Sequence, residues 1–177
     1  MSFGFSRSNP TKGGREIKLP RWAIPVVWAI IVLMIMIILP WIVALLGHRY
    51  GWYHGVPATW NFTGLVAVVM GLAMYVWCLV FHFKSYRNAV RIGFTPPHLV
   101  VTGPYRYSRN PMYVAGLFIW IGWTIFYGSP AVFSGLVLLW SMFTLRVIPY
   151  EERQLEALFG DEYLAYKKSV RRWIGRI

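Results

Sequence analysis

A polar run between two apolar stretches contains the densest set of side chains that could bind a ligand. Residues 98–113 read HLVVTGPYRYSRNPMY and combine a histidine, aromatic rings and two arginines. Gly103-Pro104 favours a turn with accessible backbone groups, and Asn110-Pro111 favours the start of a helix. A later segment adds the adjacent carboxylates Glu151 and Glu152. Together these groups could bind a ligand that has an aromatic base, hydroxyls, a carboxylate and a cation.

Composition alone allows a simpler interpretation of the same run. A basic, aromatic loop is typical of the interface of any membrane protein. A membrane protein is indeed what the composition predicts, because 57% of the residues are hydrophobic and only 14% are charged. Ordinary soluble domains are roughly 45–50% apolar.

Basic residues outnumber acidic ones by 18 to 6, and they flank apolar runs. This placement favours anionic membrane lipids as partners over nucleic acid, which we do not expect to bind. The only cysteine, Cys78, lies in an apolar stretch, so no intramolecular disulfide or cysteine metal cluster is predicted.

Four apolar segments must position the polar run, and each is interpreted as a membrane span. They are residues 22–46, 62–81, 112–127 and 130–145. The first is long enough for a bilayer, and Pro40 in its interior should kink it. The last two form one long apolar region, broken at Gly128-Ser129-Pro130 into a hairpin of two short arms. Glycines at 64, 71, 116, 122 and 135 permit close helix approach.

Orientation follows from the distribution of Lys and Arg. Five lie in 1–21, one in 47–61, five in 82–111, none in the Gly128 turn and seven in 146–177. The positive-inside rule then predicts four spans with both termini in the cytoplasm. Segments 82–111 and 146–177 would meet at the cytoplasmic face and carry the cofactor site.

The predicted fold class is therefore all-α: an integral membrane helical bundle of about four transmembrane helices, forming a single domain over 1–177. Residues 1–21 are a basic cytoplasmic leader. Residues 146–177 include apolar side chains at spacings of three and four, typical of a cytoplasmic amphipathic helix or helix pair with Gly160 as a joint.

Two motifs together resemble a known family. The run HLVVTGPYRYSRNPMY, followed by a hydrophobic hairpin and then by EERQLEALFGDEYLAYKKSVRRWI, closely resembles the integral-membrane isoprenylcysteine carboxyl methyltransferases and related phospholipid methyltransferases. The resemblance covers roughly residues 87–174. It implies an enzyme that uses S-adenosylmethionine to methylate a lipidic or hydrophobic small-molecule acceptor at the cytoplasmic membrane face.

The resemblance also implies site residues. The cofactor pocket would be lined by His98, Val100, Gly103, Pro104, Tyr105, Arg109, Asn110, Tyr113, Glu151 and Glu152. Arg87 and Arg146 would act in catalysis by orienting an acceptor carboxylate or phosphate, although either could instead be an interfacial arginine that marks the end of a span. Many family members have histidine where this chain has Asn110, and asparagine cannot exchange protons near neutral pH.

Two other functions stay open at this point. One is an NADPH-dependent membrane reductase, because sterol reductases look similar in their cofactor-binding half. The other is a non-enzymatic membrane protein, for example a haem or metal carrier that uses His48, His54, His82 and His98. No metal site is predicted, because these histidines fall at unmatched depths of the predicted topology.

Overall fold

The structure, a computed structural model, describes residues 31–32, 34–85 and 98–177. The predicted leader, the first part of the predicted span 22–46 and Arg87 lie outside the described residues. The described chain is mainly helical, with one short β-hairpin that the all-α prediction did not include.

The first described helix, α1, covers Met34–Ala44 and changes geometry ahead of its proline. Met34–Ile38 is π-helical and Leu39–Ala44 is α-helical, with Pro40 at the start of the α-helical part. Pro40 has no amide hydrogen to donate to the carbonyl of Met36, four residues before it. That carbonyl instead accepts a hydrogen bond of 2.8 Å from the indole N–H of Trp123. The carbonyl that Pro40 leaves without its usual donor thus binds α1 to the helix that carries Trp123.

Helices α2, Thr63–Ser85, and α3, Pro111–Tyr127, pack tightly through small residues. A Cβ on Gly71 would lie 2.9 Å from the carbonyl oxygen of Ala115, and one on Gly122 would lie 2.6 Å from that of Gly64. Both distances are too short for a real contact, so no larger side chain fits without moving a helix. The predicted role of glycine in close helix approach is confirmed at these positions.

The chain reverses between α3 and the next helix at the predicted break. Gly128 has left-handed backbone torsion angles and ends α3. Helix α4, Pro130–Met142, begins with the hydroxyl of Ser129 accepting the amide of Val132 at 3.4 Å. A serine cap followed by proline in the first turn is a strong helix start.

Helix α4 continues directly into the C-terminal helix. A π-helical turn, Phe143–Val147, joins it to α5, Ile148–Ser169. The buried side chains of Ala44, Trp120, Tyr127 and Val132 form a core shared by α1, α3 and α4. Thr59–Phe81 and Pro130–Ser169 are long and apolar enough to cross a membrane, whereas Met34–Ala44 and Pro111–Tyr127 are shorter apolar helices. A helical membrane protein fits these features, and the count of four spans stays a prediction.

A polar cap closes the end of α3 that lies away from the predicted site. A two-residue hairpin, Trp52–Tyr53 with Val56–Pro57, precedes the 3₁₀ turn Thr59–Phe62. Asn61 is fully buried, and its amide donates to the carbonyls of Ile125 and Phe126, at 3.1 and 2.9 Å, and to that of Tyr50, at 3.2 Å. One side chain thus satisfies carbonyls at the helix end and fixes the loop to it.

We expect Asn61→Ala to lower the free energy of unfolding by about 1–3 kcal/mol, because buried carbonyls lose their donor. The measurement is the apparent melting temperature of the detergent-purified protein. Thr63→Ala is the control, because its hydroxyl hydrogen bond to the Trp60 carbonyl is local and exposed. Equal melting temperatures for the two variants would show that Asn61 does not hold the cap together.

Candidate active site

The loop before α3 turns sharply where the sequence predicted a turn. Gly103–Arg106 is a 3₁₀ turn, and Gly103 has a φ of +61°, which favours glycine. The ring of Phe81, in α2, lies directly against the Cα of Gly103, where any side chain would collide with it. Pro104 is buried. The turn is thereby fixed against the end of α2.

Residues 170–177 form a small hairpin that is bonded to the same loop. Within the hairpin, the amide of Arg171 donates to the carbonyl of Gly175 at 2.9 Å. The amide of Arg109 donates to the carbonyl of Arg171 at 3.1 Å, and the amide of Gly175 donates to that of Tyr107 at 2.8 Å. Loop and hairpin are therefore joined along their backbones.

Side chains reinforce this attachment. The carbonyl of Arg172 accepts hydrogen bonds from the Asn110 amide group at 3.0 Å and from the Ser108 hydroxyl at 3.3 Å. The hydroxyl of Tyr166 donates to the carbonyl of Tyr105 at 2.7 Å. Asn110, predicted to bind cofactor, here connects the loop to the hairpin.

Helix α5 bends at Gly160 so that both of its halves reach one arginine. Gly160 has φ +50° and ψ −123°, outside helical geometry. Arg109 pairs with Glu152 before the bend, and it lies near enough to Tyr163 after the bend to lower the pKa of that phenol. In a straight helix Glu152 and Tyr163 would be about 16 Å apart along the axis, too far for one guanidinium to lie near both. The joint predicted at Gly160 is therefore confirmed.

Glu152 is the centre of the charged cluster. It is 5% exposed, and its Oε1 lies 3.2 Å from Nη1 of Arg109. Arg172 contacts both carboxylate oxygens, through Nε at 3.2 Å and Nη2 at 2.7 Å. A buried carboxylate is tolerated because two cations compensate its lost hydration.

The adjacent carboxylate has a different partner. The Tyr113 hydroxyl donates to Oε1 of Glu151 at 2.6 Å, and the Tyr113 ring packs on Phe143 of the π-helical turn. Glu151 is exposed, but the protein around it displaces enough water to raise the pKa of its carboxyl above the ordinary value. The two carboxylates thus face different neighbours.

Tyr163 and Arg172, the neighbours of Glu152 with a shifted pKa, both keep their protons. Burial and the nearby charge of Glu152 raise the pKa of Tyr163 to about 12, against the opposing effect of Arg109. The hydrogen bond to Glu152 raises the pKa of Arg172. Near neutral pH Tyr163 is therefore a neutral phenol and Arg172 a cation.

Several predicted site residues meet in the structure. Arg109 contacts Glu152, Tyr113 contacts Glu151, and the backbone or side chains of Tyr105 and Asn110 hold the loop in place. His98 is exposed and Val100 partly buried at the start of the loop. Arg146 is exposed in the π-helical turn, and Arg87 falls outside the described residues.

Sequence reasoning missed Arg172 as a member of the site. The basic run 167–176 was visible, but it contains five cations, and their spacing does not indicate which one faces a carboxylate. Tyr163 and Tyr166 had a signal, because they belong to the apolar stripe of the predicted amphipathic helix. Within the described ranges, no group of three His, Cys, Asp or Glu side chains lies close enough to hold a metal ion.

We expect Gly160→Ala to destabilise the protein by about 1–3 kcal/mol, because its backbone conformation is essentially restricted to glycine. The measurement is the apparent melting temperature in detergent. Gly47→Ala is a matched control, because a methyl group at either position meets open space. Of these two glycines, Gly160 has a positive φ and Gly47 does not. Equal stability of both variants would contradict the role of Gly160 as a backbone joint.

The sequence is similar to a known protein family and to named proteins of other organisms. The profile described as phospholipid methyltransferase matches residues 59–162. A probable protein-S-isoprenylcysteine O-methyltransferase of Oryza sativa subsp. indica is 34% identical over 113 residues, which are 62% of this chain and 58% of the relative.

Two further relatives have similar names. Protein-S-isoprenylcysteine O-methyltransferase A of Arabidopsis thaliana is 32% identical over 124 residues, 67% of this chain and 61% of the relative. The Homo sapiens protein-S-isoprenylcysteine O-methyltransferase is 34% identical over 116 residues, 63% of this chain and 40% of the relative. The chain thus spans about three fifths or less of these relatives. No solved structure matches the chain significantly.

Proposed function

The chain belongs to the phospholipid methyltransferase family, and from this premise we propose that it is an S-adenosylmethionine-dependent methyltransferase acting on a lipidic or hydrophobic acceptor. The observation that carries the proposal is the pairing of the buried Glu152 with Arg109 and Arg172, beside the Tyr113–Glu151 pair. These polar groups lie next to the ends of apolar helices, where a polar cofactor and an apolar acceptor could both approach.

The donor set fits S-adenosylmethionine. Nε and Nη1 of Arg109 are both buried and, in the part of the chain that the structure describes, neither has a hydrogen-bond partner, although Nη1 lies 3.2 Å from Glu152 in an ion pair. Nε is therefore a donor that could serve an acceptor atom of a ligand, such as a carboxylate. Glu151, which the structure leaves exposed, could accept hydrogen bonds from hydroxyls.

The loop would complete the pocket. We assign His98, Val100, Gly103, Pro104 and Tyr105 to its lining on the basis of the family resemblance. Asn110 and Glu152 would not contact the cofactor directly. Asn110 would hold the loop in position, and Glu152 would hold Arg109.

Bound S-adenosylmethionine would supply an electrophilic methyl group. The chain's own residues would contribute position and exclusion of water, which are the main requirements of such a transfer. Arg109 would orient the bound ligand, and Tyr113 would hold Glu151. Arg87 and Arg146 are proposed to orient the acceptor from the flanking segments.

Membrane topology is part of the proposal. Four spans with both termini in the cytoplasm would place segments 82–111 and 146–177 at the cytoplasmic face, where seventeen of eighteen basic residues would meet anionic lipids. The curated relatives are named as O-methyltransferases of S-isoprenylcysteine proteins. For this chain we propose only the broader class of lipidic or hydrophobic acceptor.

The direct test is isothermal titration of the detergent-purified protein with S-adenosylmethionine and S-adenosylhomocysteine, with NADPH as the control ligand. We expect binding of both adenosyl compounds in the micromolar range, about −8 kcal/mol, and none of NADPH. Binding of NADPH alone would overturn the methyltransferase proposal in favour of a reductase.

Glu152→Gln tests the site itself. We expect affinity for S-adenosylmethionine to fall by about tenfold or more, because Arg109 and Arg172 lose the charge that holds them. Glu156→Gln is a matched control, because this residue of the same helix pairs with Lys167 at a more exposed position. Unchanged affinity in Glu152→Gln would contradict the pocket assignment.

A further inference from the structure

We propose that Arg172 is a positioning residue that holds Glu152 for the candidate active site, so that the hairpin 170–177 is a working part of that site. The inference rests on the proposed function. It goes beyond that function because Arg172 lies outside the run 98–113 and the carboxylate pair that suggested the site.

The contacts of Glu152 are unequal. Arg109 approaches one carboxylate oxygen, whereas Arg172 contacts both oxygens. A two-point contact from a planar guanidinium fixes the direction of a carboxylate as well as its charge. Arg172 is therefore the residue that orients Glu152, and Glu152 in turn holds the Nη1 side of Arg109.

The backbone of Arg172 is fixed as firmly as its side chain. Its carbonyl accepts hydrogen bonds from Asn110 and Ser108, and Ser108 also accepts the backbone amide of Asn110 at 3.0 Å. The guanidinium thus extends from a point tied to the site loop. Its side chain is one-third exposed, at 33%, while that of Glu152 is at 6%. Arg172 is the accessible edge of a buried cluster.

The ion pair between Arg172 and Glu152 could also serve stability alone. The experiment must therefore separate a positioning role of Arg172 from a purely structural one. The variants are Arg172→Gln, Arg172→Lys, Glu152→Gln and the double variant Arg172→Gln/Glu152→Gln. The matched control is Arg171→Gln, which removes the same charge from the neighbouring, exposed side chain. Each is titrated with S-adenosylmethionine, and the apparent melting temperature is recorded in parallel.

If Arg172 positions Glu152, Arg172→Gln binds S-adenosylmethionine roughly 30-fold more weakly than wild type, and Arg171→Gln binds as wild type does. Arg172→Lys recovers part of the loss, because it keeps the charge without the two-point contact. The double variant binds no more weakly than Glu152→Gln alone, because the two residues act through one interaction.

Other results would overturn the proposal. If Arg172→Gln binds S-adenosylmethionine with wild-type affinity, Glu152 does not depend on Arg172 for its position. Losses that add fully in the double variant, or a loss that follows the melting temperature in every variant, would leave only a structural role. If the wild type binds NADPH instead, the methyltransferase proposal fails, and the same variants titrated with NADPH still decide whether Arg172 positions the site.

Discussion

The neutralisation of one buried carboxylate organises the part of the molecule that forms the candidate active site. Glu152 lies almost without solvent between Arg109 and Arg172, which come from the loop before α3 and from the hairpin after α5. Removing water from a carboxylate is costly, and the attraction of two arginines offsets that cost only while all three segments stay together. The ion cluster therefore couples the loop, the bent helix and the hairpin into one unit.

The apolar helices give this unit a rigid base. α3 begins at Pro111, directly after the loop residue Asn110, and packs against α2 where glycines allow close contact. α5 continues α4 through the π-helical turn. Glu152 therefore lies on a helix that is continuous with α4. Movement of the loop relative to the helix would require either helix unwinding or separation of this packing.

The sequence was sufficient to predict most of the helices and one pair of site residues. It was not sufficient to predict the contacts that depend on the folded backbone. Apolar runs indicated the helices and the break at Gly128, but helix α2 continues to Ser85 because polar residues also form helices. The resemblance brought Arg109 and Glu152 into one predicted pocket, and they are in contact. Arg172 could not be distinguished from Arg171, because only the hairpin geometry turns one towards the carboxylate and the other to solvent.

The adjacent residues Glu151 and Glu152 of α5 have different neighbours and are therefore suited to different roles. Successive residues of an α-helix point about 100° apart, a consequence of 3.6 residues per turn. Glu152 therefore faces the arginines, with both oxygens engaged, while Glu151 faces Tyr113 of α3, with one oxygen engaged. A carboxylate held by two cations would lose much by turning to a ligand, whereas one held by a single phenol would lose less. Of the pair, Glu151 is the better suited to contact a ligand, and Glu152 is the better suited to keep Arg109 in place for it.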